Sequence, residues 1–355
     1  MHRRCVICAL LLTSLWWAAA EESAGQVHVL MVGGLPGSPV YARRYRDWLQ
    51  RFHAYFTDTR KIPAANVVVI SGDKDFKDPI VKGIADAESI QKELEVMAGR
   101  VKPADQFVLV LLGHGGITDP IPTLVVPGRD IAAPQLLEGL DRIAARNQVI
   151  LNFAASGGSM VKPLKRKDRV QVTAVRDLEA NEPVYPEFFL RGLESGQADG
   201  AEAPDAGNKD GTITLLEAYH WSARQTALWI ARQSKTPEAE TWKLDGRQSI
   251  EVFEKLTKGE AGQLGARQLD PQSDRTAADA EVPLVPPAGQ MPADWTGRRI
   301  VTEHAALEDC GAEVPVAALG SEGFVPLTGK SAGEPGALAR RVVLGQAALL
   351  KAEGP

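Results

Sequence analysis

The sequence predicts an α/β fold, with a mainly parallel sheet of about five to six strands sandwiched by helices. Between Val27 and Gln233, short and continuously apolar runs alternate with amphipathic stretches whose apolar residues lie three or four positions apart. A strand that is apolar throughout is buried on both faces, as in a parallel sheet covered by helices on both sides. The hydrophobic content of 44% is that of a globular protein and excludes a disordered or fibrous chain.

The individual elements follow from this alternation. The predicted strands are rich in Val, Ile and Leu: Val27–Val32, Val67–Ile70, Phe107–Leu112, Val149–Leu151 and Val170–Val175. The predicted helices each carry one apolar face: Tyr41–Phe52, Ile90–Val101, Leu136–Ile143, Phe188–Leu193 and Leu216–Ile230. Asp86 is the predicted N-cap of the second helix, because its carboxylate can accept a backbone N–H of the first turn.

The first residues have the pattern of a secretory signal. Arg3 and Arg4 precede an apolar run that is too short to span a bilayer, and the alanines at 18–20 suit signal peptidase. We therefore expect a signal peptide over residues 1–20 and a secreted or periplasmic protein. Its removal would leave Cys310 as the only cysteine, so an intramolecular disulfide is not expected.

Composition also divides the rest of the chain. The predicted α/β domain covers residues 21–258. Residues 259–299 are rich in Gly, Ala, Gln, Asp and Pro and have little periodicity, which predicts a linker or a long excursion. Residues 300–355 regain short apolar runs and are expected to form a small C-terminal extension. The net charge of −5 argues against nucleic acid as a partner, and no later segment predicts a membrane span.

Two small-residue segments follow neighbouring predicted strands. Gly113-His114-Gly115-Gly116 ends the third strand, and residues 152–160 end the fourth. In a parallel sheet, ligands bind beyond the carboxyl ends of the strands. Glycines leave the imidazole of His114 uncovered, and a tight turn there can present a nucleophile and oxyanion donors. The sequence therefore predicts that the functional site lies at the carboxyl ends of these two strands and includes His114 and Gly115.

These segments resemble the caspase–legumain superfamily of cysteine peptidases, and most closely its bacterial, secreted, legumain-like branch. In that superfamily one strand ends in His-Gly, as His114-Gly115 does, and the next ends in Ala-Cys followed by Ser-Gly or Gly. Ser156-Gly157 and Ser159-Met160 resemble the end of the second motif. The resemblance covers most of the mature chain through further short matches: Tyr41, Tyr45 and Trp48, Pro127–Ile131, Val172–Ala174, Glu179 and Asn181, Phe188-Phe189, Asp210-Gly211, Leu215–Tyr219 and Thr302–Ala305.

The resemblance implies that His114 is a general base or acid beside a cysteine thiolate, but that cysteine is missing. The Ser-Gly register places the nucleophile at Ala154, and the Ser159-Met160 register places it at Ala155. A methyl group cannot attack a carbonyl carbon, whereas a thiolate activated by an imidazole can. We therefore expect an inactive pseudopeptidase that binds a peptide or a protein partner.

Two alternatives remain open from the sequence. Ser156 or Ser159 could serve with His114 in an active hydrolase, although Ser156 is displaced by one or two positions from the nucleophile. A shift of one extended residue moves a hydroxyl by roughly 3 Å, whereas catalysis tolerates a misplacement of the attacking atom of only about 1 Å. The chain could also be an engineered Cys-to-Ala form of an active cysteine peptidase.

Other residues are candidates for ligand contacts. Arg43 and Arg44 on the first helix, with Asp177 and Glu179 after the fifth strand, are candidates for lining a substrate pocket. A second group resembles a calcium loop that lacks its first carboxylate: Asn208, Asp210, Thr212, Thr214 and Glu217. The alternative is a turn in which Glu217 begins a helix. No histidine or cysteine spacing fits a zinc site, and we expect no cofactor beyond this calcium candidate.

Overall fold

A computed structural model describes residues 25–118, 120–175, 183–199, 211–233, 305–309, 312–314, 338–339 and 342–346. The predicted signal peptide and the predicted linker lie outside these residues. The strands in chain order are β1 Val27–Gly33, β2 Val67–Ser71, β3 Val81–Ile84, β4 Gln106–Leu112, β5 Gly115–Thr118, β6 Ile121–Leu124, β7 Ile131–Ala132, β8 Asn147–Asn152, β9 Arg169–Thr173, β10 Thr212–Thr214, β11 Ala306–Asp309, β12 Ala312–Val314 and β13 Val343–Gln346. The α-helices are α1 Pro39–Ala54, α2 Ala87–Arg100, α3 Ala133–Asp141, α4 Tyr185–Glu194 and α5 Leu215–Gln233.

The described part of the chain is built on an eight-stranded sheet with the order β3-β2-β1-β4-β8-β9-β11-β12. The six strands from β3 to β9 pair in parallel, and β11 and β12 pair antiparallel at one edge. The predicted α/β class with a mainly parallel sheet flanked by helices is confirmed. Residues of the predicted C-terminal extension supply β11 and β12 at the edge of this sheet and β13, which pairs with β10.

Two apolar layers cover the sheet, one on each face. On β1, Val29 and Met31 belong to the layer that includes α1, α4 and α5, whereas Leu30 and Val32 belong to the layer that includes α2 and α3. This division follows from the alternation of side chains along a strand. The continuous apolar runs in the sequence are therefore explained by burial on both faces.

The helices begin where the sequence offers caps. Asp86 accepts a hydrogen bond from the backbone N–H of Ser89 (2.8 Å), so the predicted cap of α2 is confirmed. Ser38 caps α1, with Pro39 as its first residue. None of the helices among the described residues is both long and apolar enough to cross a membrane.

The strand order reverses between β1 and β4. The chain passes from β1 through α1 to β2 and β3 on one side, and then returns through α2 to β4 on the other side of β1. The crevice beyond the carboxyl ends of two such strands is where open α/β sheets bind ligands. Gly34 follows β1 and His114 follows β4, so His114 lies at this reversal point.

A buried histidine at the opposite end of β1 gives a pH prediction. Burial lowers the pKa of His28, and Asp105, whose Oδ2 lies 3.3 Å from His28 Nε2, offsets this only in part. The unfolded chain therefore binds a proton more readily than the folded chain, and stability falls as pH decreases from about 7 through the lowered pKa. We expect His28→Gln to flatten the dependence of the unfolding free energy on pH in urea titrations. Equal slopes in the wild type and His28→Gln would contradict the prediction.

Candidate functional site

His114 is held in one orientation at the end of β4. Gly113 has a φ of +149°, a backbone conformation that favours glycine, and the half-buried imidazole follows it. His114 Nε2 lies 2.9 Å from the carbonyl oxygen of Pro36. Because a carbonyl oxygen only accepts, Nε2 carries the proton and Nδ1 carries the lone pair of the neutral ring. The imidazole is thus oriented with Nδ1 as its basic atom.

Two tyrosines one helical turn apart form a wall beside His114. The ring of Tyr41 meets the imidazole edge to face at 5.1 Å between centroids, and Tyr45 lies at 6.1 Å. The two tyrosine rings stack on each other at 6.2 Å. Both extend from α1, the helix that follows the Pro36 segment. The β1–α1 connection and the first turns of α1 therefore supply both the hydrogen-bond acceptor and the apolar contacts of His114.

The turn after β8 lies directly beside the His114 segment. Phe153 N donates to Leu111 O (2.8 Å), and Ala155 N donates to Gly113 O (3.0 Å). The parallel hydrogen-bond ladder of β4 and β8 therefore continues past the ends of both strands, and neighbouring strands lie about 5 Å apart. Ala155 is consequently the residue opposite His114.

Side-chain alternation distinguishes the two alanines. Phe153 packs in the layer on the α1 face, and Ala154 packs in the layer on the α2 and α3 face. His114 contacts α1, so it lies on the same face as Phe153. Alternation directs the side chain of Ala155 to that face as well. Of the two positions that the sequence left open, 155 is therefore the one on the side of His114.

Asn152 fixes the shape of the turn. Its buried side chain accepts a hydrogen bond from Ala154 N (3.2 Å) and donates one to Gly157 O (3.1 Å). Ser156 adopts a left-handed conformation with a φ of +55°, and its carbonyl accepts the hydroxyl of Ser159 at 2.7 Å. The Ser159 hydroxyl proton is thus given to the main chain of its own turn, and the structure does not join either serine to His114.

Gly115 permits the close contact between the two segments. A Cβ at this position would lie 2.1 Å from the carbonyl oxygen of Ala155, far inside van der Waals contact. A side chain at 115 would therefore push the Ala155 turn away from His114. The glycine after the histidine is explained by this approach of two backbones rather than by a special φ value.

Comparison with known proteins gives little beyond this geometry. No family model and no curated protein matches the chain. Among solved structures it is similar to the crystal structure of protein GSU0716 from Geobacter sulfurreducens, with 11% identity and a TM-score of 0.37, over 50% of this chain and 85% of that chain. A likeness of this size transfers neither family nor function, so the site is interpreted from its own residues.

The predicted substrate-side residues fall in different environments. Arg43 is exposed on α1, whereas Arg44 is 1% exposed, with its guanidinium carbon 5.8 Å from the ring of Tyr41 and 5.7 Å from that of Trp48. Arg44 is therefore placed next to a ring that contacts His114, and Arg43 is directed to solvent. Asp177 and Glu179 lie outside the described residues.

The predicted calcium-loop residues are described only in part. Asn208 and Asp210 lie outside the described residues, and Thr212 and Thr214 belong to β10. Glu217 is buried and forms a capping box with Thr214: Glu217 Oε2 accepts Thr214 N (2.8 Å), and Glu217 N donates to Thr214 Oγ1 (3.2 Å). This carboxylate therefore starts α5. Within the described ranges, no group of three or more His, Cys, Asp or Glu residues is placed to hold a metal ion.

Two features of the site were missed at the level of sequence. The first is the Pro36 carbonyl that orients His114; a main-chain acceptor has no residue-type signal. The second is Asn152, whose clamp on the turn could have been suspected from an amide residue at the end of an apolar strand, where a buried polar side chain must find hydrogen-bond partners. Tyr41 and Tyr45 were recognised as a helix face but not as the wall of the site.

Proposed function

We propose that this protein is a secreted or periplasmic homologue of legumain- and caspase-like peptidases that has lost catalysis and binds a peptide or a protein partner. The observation that carries the proposal is the pairing of an oriented histidine, His114, with an alanine, Ala155, on the neighbouring strand end. A base in this position serves to deprotonate a nucleophile beside it, and a methyl group stands there instead. The secreted location rests on the signal pattern of residues 1–20.

The finer fold assignment is part of the same proposal. A His-Gly segment after one parallel strand and a small-residue turn after the next support a caspase–legumain type of sheet. The reversal of strand order between β1 and β4 supports a binding crevice beyond the carboxyl ends of these two strands. In such a crevice the half-buried ring of Tyr41 would contact apolar parts of a peptide, and the buried ring of Tyr45 stacks behind it.

Hydrogen bonds already made at the site support the loss of catalysis. The backbone N–H of Ala155 donates to Gly113 O, so it is not directed at the crevice as an oxyanion donor. The Ser159 hydroxyl donates to Ser156 O. Both bonds argue against the alternative of a serine hydrolase built on the same turn.

A restored thiol tests the assignment of position 155. In Ala155→Cys, we expect the thiol to react with iodoacetamide near neutral pH at least about tenfold faster than in Ala155→Cys/His114→Ala, because a nearby imidazole favours the thiolate. Both alanines are buried, at 1% and 3% exposure, so the difference between them is the nearby imidazole. Ala154→Cys is the matched control, since residue 154 packs in the opposite layer, and its rate should not depend on His114. Mass spectrometry of the modified peptide gives the rates. Equal rates with and without His114 would contradict the assignment.

Catalysis and binding are tested on the unsubstituted protein. We expect no cleavage of a peptide library and no labelling of Ser156 or Ser159 by a fluorophosphonate probe. Selection from a displayed peptide library should enrich sequences whose binding is lost in Tyr41→Ala and kept in Gln50→Ala, an exposed position farther along α1. Labelling of either serine that disappears in His114→Ala would overturn the proposal in favour of an active hydrolase.

A further inference from the structure

The strand β5 has a free side that begins one residue after His114. It is the first strand of a three-stranded antiparallel sheet with the order β5-β6-β7, so within the part of the chain that the structure describes it has a neighbour on one side only. A strand with one neighbour presents main-chain N–H and C=O groups along its other side. Because β5 continues directly from the histidine segment, this free side starts at the proposed crevice.

The pairing register shows which main-chain groups of β5 point outward. Val125 N donates to His114 O (2.9 Å), and Val125 lies opposite His114 where the β5–β6 register continues. Opposite residues of an antiparallel pair alternately exchange hydrogen bonds and exchange none. Ile117, three positions after His114, therefore directs its N–H and C=O away from β6. Pro122, which has no N–H, lies opposite Ile117 and so costs β5 no hydrogen bond.

The approach to this free side is open. A Cβ on Gly116 would meet only the hydroxyl of Thr123, at 3.7 Å, so the space over this glycine is unfilled. Ile117 is 42% exposed, and Thr118 is exposed as well. A glycine inside a strand often marks a place where a ligand or another backbone approaches closely. An added chain can therefore reach the main-chain groups of Ile117.

An edge strand of the eight-stranded sheet is protected against pairing, whereas β5 is not. At that edge, β3 carries the charged Lys82, and its pairing with β2 is irregular between Val69 and Ile70. Charged side chains and bulges are two of the means by which proteins prevent edge strands from pairing. The residues of β5 are uncharged, and its register with β6 is continuous. The free side of β5 is thus suited to pairing with another strand.

We propose that a peptide segment of the partner binds as an added strand along the free side of β5. The proposal rests on the proposed peptide-binding function and names its main-chain contact: the N–H and C=O of Ile117 would each bond to the main chain of the peptide. Apolar and β-branched peptide residues are expected, because exposed apolar side chains lie on β5, on β6 and on the connection from β1 into α1. These are Leu35, Val40, Ile117 and Ile121, which are 39–42% exposed.

A second copy of the chain is the alternative occupant. A stable protein–protein interface buries roughly 1,200 Å² or more, whereas β5 has four residues, of which every second one faces outward. A peptide needs only these few bonds together with side-chain contacts in the crevice, so the peptide is favoured. We expect the wild type and Ile117→Pro to sediment alike at every concentration. A wild-type dimer that Ile117→Pro dissociates would overturn the proposal.

A proline at position 117 tests the main-chain contact. Ile117→Pro removes the outward N–H and leaves the β5–β6 ladder intact, because proline is tolerated on an edge strand where its nitrogen faces away from the neighbour. We expect it to bind the peptide that the displayed library enriches most at least about tenfold more weakly than the wild type does, measured by calorimetry. Ile117→Val keeps the N–H and should weaken binding less than about threefold. Urea midpoints close to that of the wild type show that both variants fold.

A second measurement uses the unsubstituted protein. Methylation of one main-chain nitrogen at a time in the enriched peptide removes single N–H groups. In an added strand alternate N–H groups face the neighbour, so we expect losses of at least about tenfold at every second position of the paired stretch and small changes between them. Losses without this period, or an affinity that Ile117→Pro leaves unchanged, would overturn strand addition while peptide binding stands. A library that enriches no peptide would overturn the proposed function and this inference with it.

Discussion

Replacing Glu187 with alanine is expected to lower the free energy of unfolding by about 3 to 5 kcal/mol. Glu187 lies in the first turn of α4, is fully buried and accepts hydrogen bonds from Trp48 Nε1 (3.0 Å), Arg51 Nη1 (2.7 Å) and Arg191 Nε (2.9 Å). Its removal takes this acceptor from the Trp48 indole N–H and from two largely buried guanidinium groups, of which Arg51 keeps Asp47 and Glu194. The large effect is expected because the buried donors that faced Glu187 keep their desolvation penalty without its carboxylate.

Glu194 is a matched control in the same helix. It also pairs with Arg51, through Nη2 at 2.6 Å, but its side chain is 36% exposed. Glu194→Ala should therefore cost no more than about 1 kcal/mol. Urea denaturation with linear extrapolation measures both variants. Equal losses in the free energy of unfolding for the two variants would contradict the prediction that burial determines how much Glu187 contributes to stability.

Replacing Gly115 with alanine is expected to lower the free energy of unfolding by about 3 kcal/mol. The added Cβ would lie 2.1 Å from Ala155 O, which is main chain and cannot rotate away. Relief of the clash requires β5 or the turn after β8 to move, and this movement breaks the hydrogen bond from Ala155 N to Gly113 O. The variant should therefore also lose the effect of His114 on a cysteine placed at 155.

The adjacent glycine provides the control. A Cβ on Gly116 would meet only the hydroxyl of Thr123, at an ordinary 3.7 Å. Gly116→Ala is expected to change stability by no more than about 0.5 kcal/mol. Denaturant melts of both variants, together with iodoacetamide rates in the Ala155→Cys background, measure the two effects. A Gly115→Ala variant with wild-type stability would contradict the close approach of the two segments.

The sequence predicts the centre of the sheet better than its edges. Runs such as Phe107–Leu112 are apolar throughout because both faces are covered, and this signal is local. At one edge, β3 was not predicted, because Lys82 and Gly83 interrupt its short apolar pattern. At the other edge, β11 includes Glu308, which is buried against Gln171 of β9 at 3.0 Å. In the sequence, a charged residue in a short segment is typical of a surface loop. The burial of Glu308 depends on Gln171, a partner distant in the chain, so β11 could not be predicted locally.

The site could be predicted as a location but not as an arrangement. Because His114 and residues 152–160 each follow an apolar strand, the sequence predicted both segments at the carboxyl ends of the parallel strands. The structure brings these segments together. The choice between Ala154 and Ala155 depends on how far the ladder continues past β8, which composition does not reveal. The orientation of His114 depends on the Pro36 carbonyl, and every residue has a carbonyl.

The pairing of β11 with β9 has a consequence for how the chain folds. Residues of β11 follow β9 by roughly 130 positions, yet they complete the same sheet. Closing so long a loop costs chain entropy before any contact is formed, so this pairing is expected late in folding, after the local strand–helix units. Until then the outer edge of β9 presents unpaired N–H and C=O groups, which can pair with another copy of the chain. A strand that joins the sheet late is therefore the one that covers the edge of β9 and protects the folding protein from self-association.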